Sequence, residues 1–305
     1  MIVESRREVR RSTAALLATA LRPGQWTKNL LLFAGLLFGG RLYDIDAVLA
    51  ATAAFGIFCA LSGATYLLND ISDREADRGH PLKQMRPVAS GELGVGIAAS
   101  AAAVLIGGAT AAAWFLSPAF GGIAAIYALI FSLYSLTLKH IVIVDVLTIA
   151  GGFVLRAVAG AVVVDVPIGP WLLVCTTLLA LFLALSKRRH ELVLLGEGAS
   201  RHRRSLEHYS PYLLDQMIAV VTASTLLAYT LFTMDAETAR RLGTGRLGIT
   251  IPFVLYGIFR YLYLVHQKLG GGSPAEMLLT DRPLLACVAL WVGTVVLLMY
   301  SPLGG

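Results

Sequence analysis

The sequence predicts an all-α polytopic membrane protein with nine transmembrane helices. Three observations carry that reading. The 305 residues are 57% hydrophobic and only 14% charged, with a mean hydropathy of +0.73, whereas a soluble domain carries about 25% charge. Nine apolar stretches approach the roughly 20 residues needed to cross a bilayer. The basic residues gather in alternate connections between those stretches, as the positive-inside rule requires.

Taken in order, the chain opens with Arg6, Arg7, Arg10 and Arg11 ahead of the short run Ala14–Ala20. That run is weak for a signal peptide and is followed by Arg22-Pro23, so residues 1–22 read as a cytoplasmic or interfacial helical arm. The spans are expected at roughly 26–40, 46–68, 95–116, 119–138, 141–164, 168–186, 211–233, 249–266 and 283–301. With the N-terminus inside, five basic regions fall on one side. They are the arm, the loop with Arg74, Arg78, Lys83 and Arg86, the turn at Lys139-His140, the loop from Lys187 to Arg204, and the loop with Lys268 and Arg282. That side is expected to be cytoplasmic, in the inner cell membrane. The connection 234–248 breaks the pattern, because it holds Arg240, Arg241 and Arg246.

No composition shift divides the chain, so residues 1–305 read as one domain. Net charge is +6, but no soluble basic domain exists to bind nucleic acid. Cys59, Cys175 and Cys287 all lie in apolar stretches without metal or disulfide spacing. The six histidines show no zinc-like spacing. The oligomeric state stays open between a monomer and a homo-oligomer.

One stretch stands apart. Asn69-Asp70-Ile71-Ser72-Asp73-Arg74-Glu75-Ala76-Asp77 places four carboxylates in nine residues where an apolar span meets a basic loop. Such density is costly at a bilayer edge unless cations offset it. At about 100° per residue on a continuous helix, Asp70, Asp73 and Asp77 share an arc of roughly 60°, with Asn69 beside Asp73. Oxygen ligands on one face suit Mg²⁺, which binds one or two carboxylates plus substrate phosphates. Asn69, Asp70, Asp73 and Asp77 are the candidate metal ligands. Lys83 and Arg86-Pro87 follow at once and supply cations for the phosphate oxygens left over.

This stretch resembles the first aspartate-rich motif of the UbiA superfamily of intramembrane prenyltransferases. The resemblance extends to Leu21–Asn29, to Asp77-Arg78-x-His80-Pro81-x-Lys83-x-x-Arg86-Pro87, to Tyr134-Ser135-x-x-x-Lys139-His140, and to Leu155-Arg156-Ala157-x-Ala159-Gly160. As a set these are most similar to the decaprenyl-phosphate phosphoribosyltransferase branch. The resemblance implies a UbiA-like bundle of nine helices around a central cavity, with a Mg²⁺-diphosphate at its cytosolic mouth. The superfamily's aromatic prenyltransferases usually carry a second Asp-x-x-x-Asp motif after the sixth helix. Here the corresponding segment reads Ser186-Lys187-Arg188-Arg189-His190-Glu191-Leu192, with one carboxylate among basic residues. A basic loop suits a substrate with phosphates at two places.

The implied reaction is transfer of a 5-phosphoribosyl group from 5-phosphoribosyl diphosphate to a polyprenyl (decaprenyl) phosphate, towards decaprenyl-phosphoryl-arabinose and cell-wall arabinan. Asp73, Asp77, Lys83 and Lys139 are then the catalytic candidates, with Mg²⁺ as cofactor and the lipid bilayer as the other partner. Lys28, Asp70, Arg86, Tyr134, Arg156, Lys187 and Arg188 are the substrate-binding candidates. Several have a plainer reading. Lys28 and Trp26 suit an interfacial anchor, Lys139 a snorkelling lysine, and Lys187 and Arg188 a topological signal. Arg156 lies deep in an apolar span and needs an anion from another helix or from a substrate. Two other functions compete: prenyl transfer from a prenyl diphosphate to an aromatic acceptor, and transport or lipid carriage. The transporter reading is disfavoured because the polar residues crowd the helix ends rather than mid-membrane.

Overall fold

The computed structural model describes residues 11–195, 204–268 and 273–301, and among them every regular element is helical. Arg6, Arg7, Arg10, Arg201 and Arg203 lie outside the described residues. Helix α1 (Thr13–Ala20) starts where the Ser12 hydroxyl accepts the amide of Ala15 at 3.2 Å, a serine N-cap. It buries Leu16 and Ala20 against Leu67, Val88 and Leu93, so the arm packs on the bundle.

Among the described residues eight helices are long and apolar enough to cross a membrane, the seventh when the 3-10 turn Leu247–Thr250 that leads into it is included. They are α3 (Ile45–Ser72), α6 (Val95–Leu116), α7 (Pro118–Leu136), α8 (Val144–Val163), α9 (Pro170–Leu195), α10 (Pro211–Met234), α12 (Ile251–Gln267) and α14 (Arg282–Tyr300). Proline sits in the first turn of α7, α10, α12 and α14, where its missing N–H costs nothing. Short helices fill the connections: α4 (Arg74–Arg78), α5 (Pro87–Ser90), α11 (Ala236–Leu242) and α13 (Pro274–Thr280).

The first expected span, 26–40, departs from prediction. It is not one α-helix but a 3-10 helix, Pro23–Leu32, running into the six-residue α2, Phe33–Phe38. At about 2.0 Å per 3-10 residue and 1.5 Å per α residue, the two reach roughly 29 Å, close to the hydrocarbon thickness. The segment runs alongside α3 for much of that helix's roughly 42 Å. Arg22 pairs with Asp70 near the end of α3, and Arg41 pairs with Asp44 at its start. A 3-10 helix eclipses residues i and i+3. Arg22, Gln25, Lys28 and Leu31 therefore form one row on a cavity wall, while Asn29, Leu32 and Gly35 form the buried row.

Small residues hold that buried row against α8. A Cβ on Gly160 would meet the Leu32 carbonyl carbon at 2.6 Å, and one on Gly35 would meet the Ala161 nitrogen at 2.6 Å. Both obstacles are backbone, which cannot rotate away. Gly160→Ala is therefore expected to destabilise the protein by at least the roughly 1–3 kcal/mol of an overpacked core. Thermal unfolding in detergent checks this, and an unchanged midpoint would show that α8 and the first segment can separate freely.

The two largest apolar clusters among the described residues lie on either side of a cavity. One joins α3, α6, α7 and α8 around Phe58, Phe120 and Tyr127. The other joins α9, α10 and α12 around Phe182, Ile218 and Tyr261. The cavity between them measures about 1770 Å³. One end is lined by Arg22, Lys28, Asn69, Asp73, Lys83 and Arg86. The basic connections from the second, fourth and sixth spans thus converge at that mouth, as the charge pattern predicts. At the far end, Arg240 in the exceptional connection is exposed and paired with Glu237, which offsets part of its charge.

Candidate active site

The carboxylate stripe crosses a helix end. Helix α3 stops at Ser72, and Asp73 (φ −94°, ψ 6°) caps the separate five-residue α4. Helical backbone bonds continue across it, from Asp73 N to the Asn69 carbonyl at 2.9 Å and from Asp77 N to the Asp73 carbonyl at 2.7 Å. Asp70 and Asp77 share one face, both accepting from Arg86 Nη1, at 3.2 and 2.6 Å. Asn69 and Asp73 line the cavity, whereas Asp70 and Asp77 do not. Asp70 is 1% exposed. One of its oxygens pairs with Arg22 and, at 3.2 Å, with Arg86. Its other oxygen is buried without a hydrogen-bond partner among the described residues. Asp70 is therefore a buried counter-ion and not the cavity-facing ligand that the spacing suggested.

Asp73 is the carboxylate at the centre of the mouth. Its Oδ2 accepts from Asn69 Nδ2 at 3.0 Å. Its Oδ1 accepts from Lys139 Nζ at 2.6 Å. Lys139 comes from the 3-10 turn Leu138–His140 after α7 and is 1% exposed. It also donates to the Ser72 hydroxyl at 3.1 Å, and that hydroxyl donates to the carbonyl of Ser135. So Lys139 stands behind Asp73, where it fixes and neutralises the carboxylate, rather than on the wall. One turn on, Asp77 is buried and held by Arg86 at 2.6 Å. Burial pushes the Asp77 carboxyl above its usual range, and Arg86 works against that shift.

Among the described residues no group of three or more His, Cys, Asp or Glu side chains could hold a metal. What the wall does offer is one carboxylate, Asp73, and the amide oxygen of Asn69, which is left unspent because the amide nitrogen makes the bond to Asp73. Asp77 stands one turn away behind Arg86. That set is too small to cage a resident ion. It suits Mg²⁺ delivered with a diphosphate, since Mg²⁺ takes one or two carboxylates and draws its remaining ligands from phosphate and water.

Cations ring this point. Lys83, Arg86 and Lys187 are on the wall. Lys83 is carried by a loop built on His80, whose Nδ1 accepts the amides of Leu82 and Lys83 at 3.1 and 3.2 Å. That fixed acceptor nitrogen was invisible in the sequence beyond the breaker pattern Gly79-His80-Pro81. Lys28 reaches the Tyr66 hydroxyl at 3.5 Å, and Arg22 lies over the Tyr66 ring, 4.8 Å from its centre. Tyr66 was not singled out by any motif.

Arg188 is misplaced by the sequence reading. The segment 186–192 is not a loop, because α9 runs through it to Leu195. Arg188 is 1% exposed and absent from the wall. It donates to Asp145 at 2.8 Å, to Glu191 at 2.5 Å and to the Tyr134 hydroxyl at 3.1 Å. The hydroxyl of Tyr209 also reaches Asp145, at 3.0 Å. Arg188 thus closes a buried network that locks α7, α8 and α9 together. Tyr134 and Glu191, at the edge of that network, still line the cavity. Lys187, one residue earlier on the helix, faces the cavity where Arg188 cannot.

Arg156, expected to need an anion, does line the cavity, and its surroundings are taken up below. The apolar remainder of the wall includes Leu30, Phe33, Phe38, Val288 and Val292. The mouth is therefore suited to a polyanion and the interior to a long hydrocarbon.

Comparison with known proteins agrees with this layout. Residues 29–278 match the model of the UbiA prenyltransferase family. The chain is 33% identical over 290 residues to the decaprenyl-phosphate phosphoribosyltransferase of Mycolicibacterium smegmatis, covering 92% of this chain and 91% of that protein. It is 33% identical over 280 residues to the enzyme of the same name from Mycobacterium tuberculosis, covering 90% and 91%. A solved UbiA homologue from Archaeoglobus fulgidus, bound to GPP and Mg²⁺, superposes with a TM-score of 0.70 at 18% identity, covering 92% of this chain and 98% of that one. The chain is a multi-pass membrane protein and belongs to the UbiA prenyltransferase family.

Proposed function

We propose that this single-domain enzyme transfers the 5-phosphoribosyl group of 5-phosphoribosyl diphosphate to a polyprenyl phosphate, the decaprenyl lipid in its relatives' name, and releases diphosphate. The observation that carries the reading is the end of α9. Where a second metal-binding carboxylate pair is needed for a prenyl diphosphate, this chain presents Lys187 and His190 to the cavity. Its one carboxylate there, Glu191, is paired with Arg188. The 33% identity over nine-tenths of the chain to enzymes of that name supports it.

Asn69 and Asp73, with Asp77 behind them, would hold Mg²⁺ against the diphosphate. When bound, the ion neutralises charge that develops on the leaving group. Arg86 and Lys83 add fixed positive charge on the same wall, where a preorganised cation is worth more than in water. Lys139 acts through Asp73, holding it oriented and balancing its charge. As the bond from ribose C1 to the diphosphate oxygen breaks, C1 takes oxocarbenium character. A lipid phosphate oxygen then forms the new bond from the opposite face. A phosphate monoester is already mostly dianionic near pH 7, its second pKa lying at about 6, so no base has to remove a proton. The polyprenyl chain lies along the apolar wall. The positive-inside charge pattern supports a mouth that faces the cytoplasm, with the protein in the inner membrane.

The test is a pair of reactions on purified protein with Mg²⁺. One supplies labelled phosphoribosyl diphosphate and polyprenyl phosphate; the other supplies labelled prenyl diphosphate and an aromatic acid. Label is expected in the lipid fraction of the first alone, and to vanish there with EDTA and return with added Mg²⁺. Labelled product in the second reaction alone would replace this reading with aromatic prenylation.

A further inference from the structure

Arg156 is a charge with no carboxylate partner among the described residues. It sits in the membrane-spanning helix α8, is 4% exposed, and lines the cavity. Its Nε donates to Asn29 Oδ1 at 2.7 Å, one terminal nitrogen to the carbonyl of Gly152 at 2.9 Å, and the other to the Tyr127 hydroxyl at 2.7 Å. The rings of Tyr127 and Phe153 lie 4.8 and 5.5 Å from its central carbon. Every one of these partners is neutral, and among the described residues no carboxylate pairs with it. The contrast within the same protein is sharp. Arg188, also almost fully buried, is held by two carboxylates.

A guanidinium at membrane depth is costly unless an anion matches it. Its neutral shell is itself firmly built. The Asn29 amide, which orients Arg156, donates in turn to Ser62 Oγ at 3.2 Å and Cys59 Sγ at 3.3 Å. A guanidinium has five N–H donors, and three are engaged, which leaves one on each terminal nitrogen. Those two form the fork that matches two phosphate oxygens. Ser62, which anchors the shell, lies two turns of α3 before Asn69, or about 10 Å deeper than the mouth. Lys28, next to Asn29 in the chain and on the same wall, lies between the two levels.

We propose that Arg156, assisted by Lys28, is a second anion subsite that takes a phosphate monoester about 10 Å below the diphosphate site. The inference rests on the reaction proposed above, whose substrates carry two such groups: the 5-phosphate of the donor and the head of the lipid acceptor. Asn29 and Tyr127 are positioning residues that aim the fork.

The experiment uses Arg156→Gln and Arg156→Lys in the full chain. Wild type is expected to gain thermal stability from inorganic phosphate in detergent, and Arg156→Gln is expected to lose that protection. In kinetics, Arg156→Gln is expected to raise one KM by at least tenfold. A rise in the donor KM, absent for ribosyl diphosphate lacking the 5-phosphate, assigns the subsite to the donor. A rise in the polyprenyl phosphate KM assigns it to the lipid. If Arg156→Gln does not fold, Arg156→Lys, which keeps the charge and loses the fork, is expected to show a smaller rise in that same KM. Both KM values within twofold of wild type in every variant that folds, with phosphate protection intact, would overturn the proposal. Failure of wild type to transfer phosphoribosyl would instead remove the reaction, and phosphate protection lost only in the Arg156 variants would still identify the subsite.

Discussion

Asp73→Asn is expected to lower kcat by roughly 10²–10³-fold, the loss typical when one preorganised charge stabiliser is removed. The side chain keeps its size, so the effect is electrostatic. Asp73 is the carboxylate that the wall presents beside Asn69, and without it the diphosphate and its metal meet only an amide pair. Combining it with Asp77→Asn removes the second carboxylate of the turn and is expected to abolish transfer. The apparent Mg²⁺ requirement should rise in the single variant before activity disappears in the double. One structural complication has a direct control. Asp73→Asn also deprives the buried Lys139 of its partner at 2.6 Å, which can lower stability by itself. Pairing Asp73→Asn with Lys139→Met removes the stranded charge, so it should recover melting temperature without recovering activity. Activity within threefold of wild type in the double aspartate variant at saturating Mg²⁺ would sink the metal assignment.

The outline of this site was legible because it depends on local signals. Apolar runs of membrane length, basic connections on one side, and an aspartate-rich helix end beside Lys83 and Arg86 all survive without tertiary knowledge. What failed was the assumption that the shared face is the cavity face. The wheel groups Asp70 with Asp77, and they do share a face, but tertiary packing sets Arg22 and Arg86 against it instead of the open cavity. The first span hid its 3-10 character because an apolar run reports membrane length and not the number of residues per turn. Its consequence, the row Arg22, Gln25, Lys28 and Leu31 on the cavity wall, could not be drawn. Partners far apart in sequence were equally hidden. Asn29 meets Arg156 across 127 residues, and Asp145 meets Arg188 across 43. No periodicity reports such pairs. The need for a partner was visible in each case, since a charge inside an apolar span asks for one. Arg188 found carboxylates and became structural, while Arg156 found neutral groups and faces the cavity.

That difference sets the second large effect. Arg188→Met is expected to destabilise the protein by about 3–5 kcal/mol, the cost of stranding one member of a buried ion pair. Asp145 is fully buried and Arg188 nearly so, and the change withdraws the guanidinium from Asp145 and Glu191 together. The hydroxyls of Tyr209 and Ser205 remain on Asp145 at 3.0 and 3.4 Å, but a hydroxyl supplies a dipole where a full charge is removed. For a chain of this size the melting temperature should fall on the order of 10 °C. Arg188→Met combined with Asp145→Asn leaves no buried carboxylate at that position and should regain a good part of the loss, because a neutral replacement of a buried pair is often tolerated. The same variants separate structure from substrate contact. Assayed well below its melting point, Arg188→Met should keep both KM values near wild type, since Arg188 is not on the cavity wall. A tenfold rise in KM without loss of stability would return Arg188 to the substrate site and contradict the buried network of Asp145, Arg188, Glu191 and Tyr134.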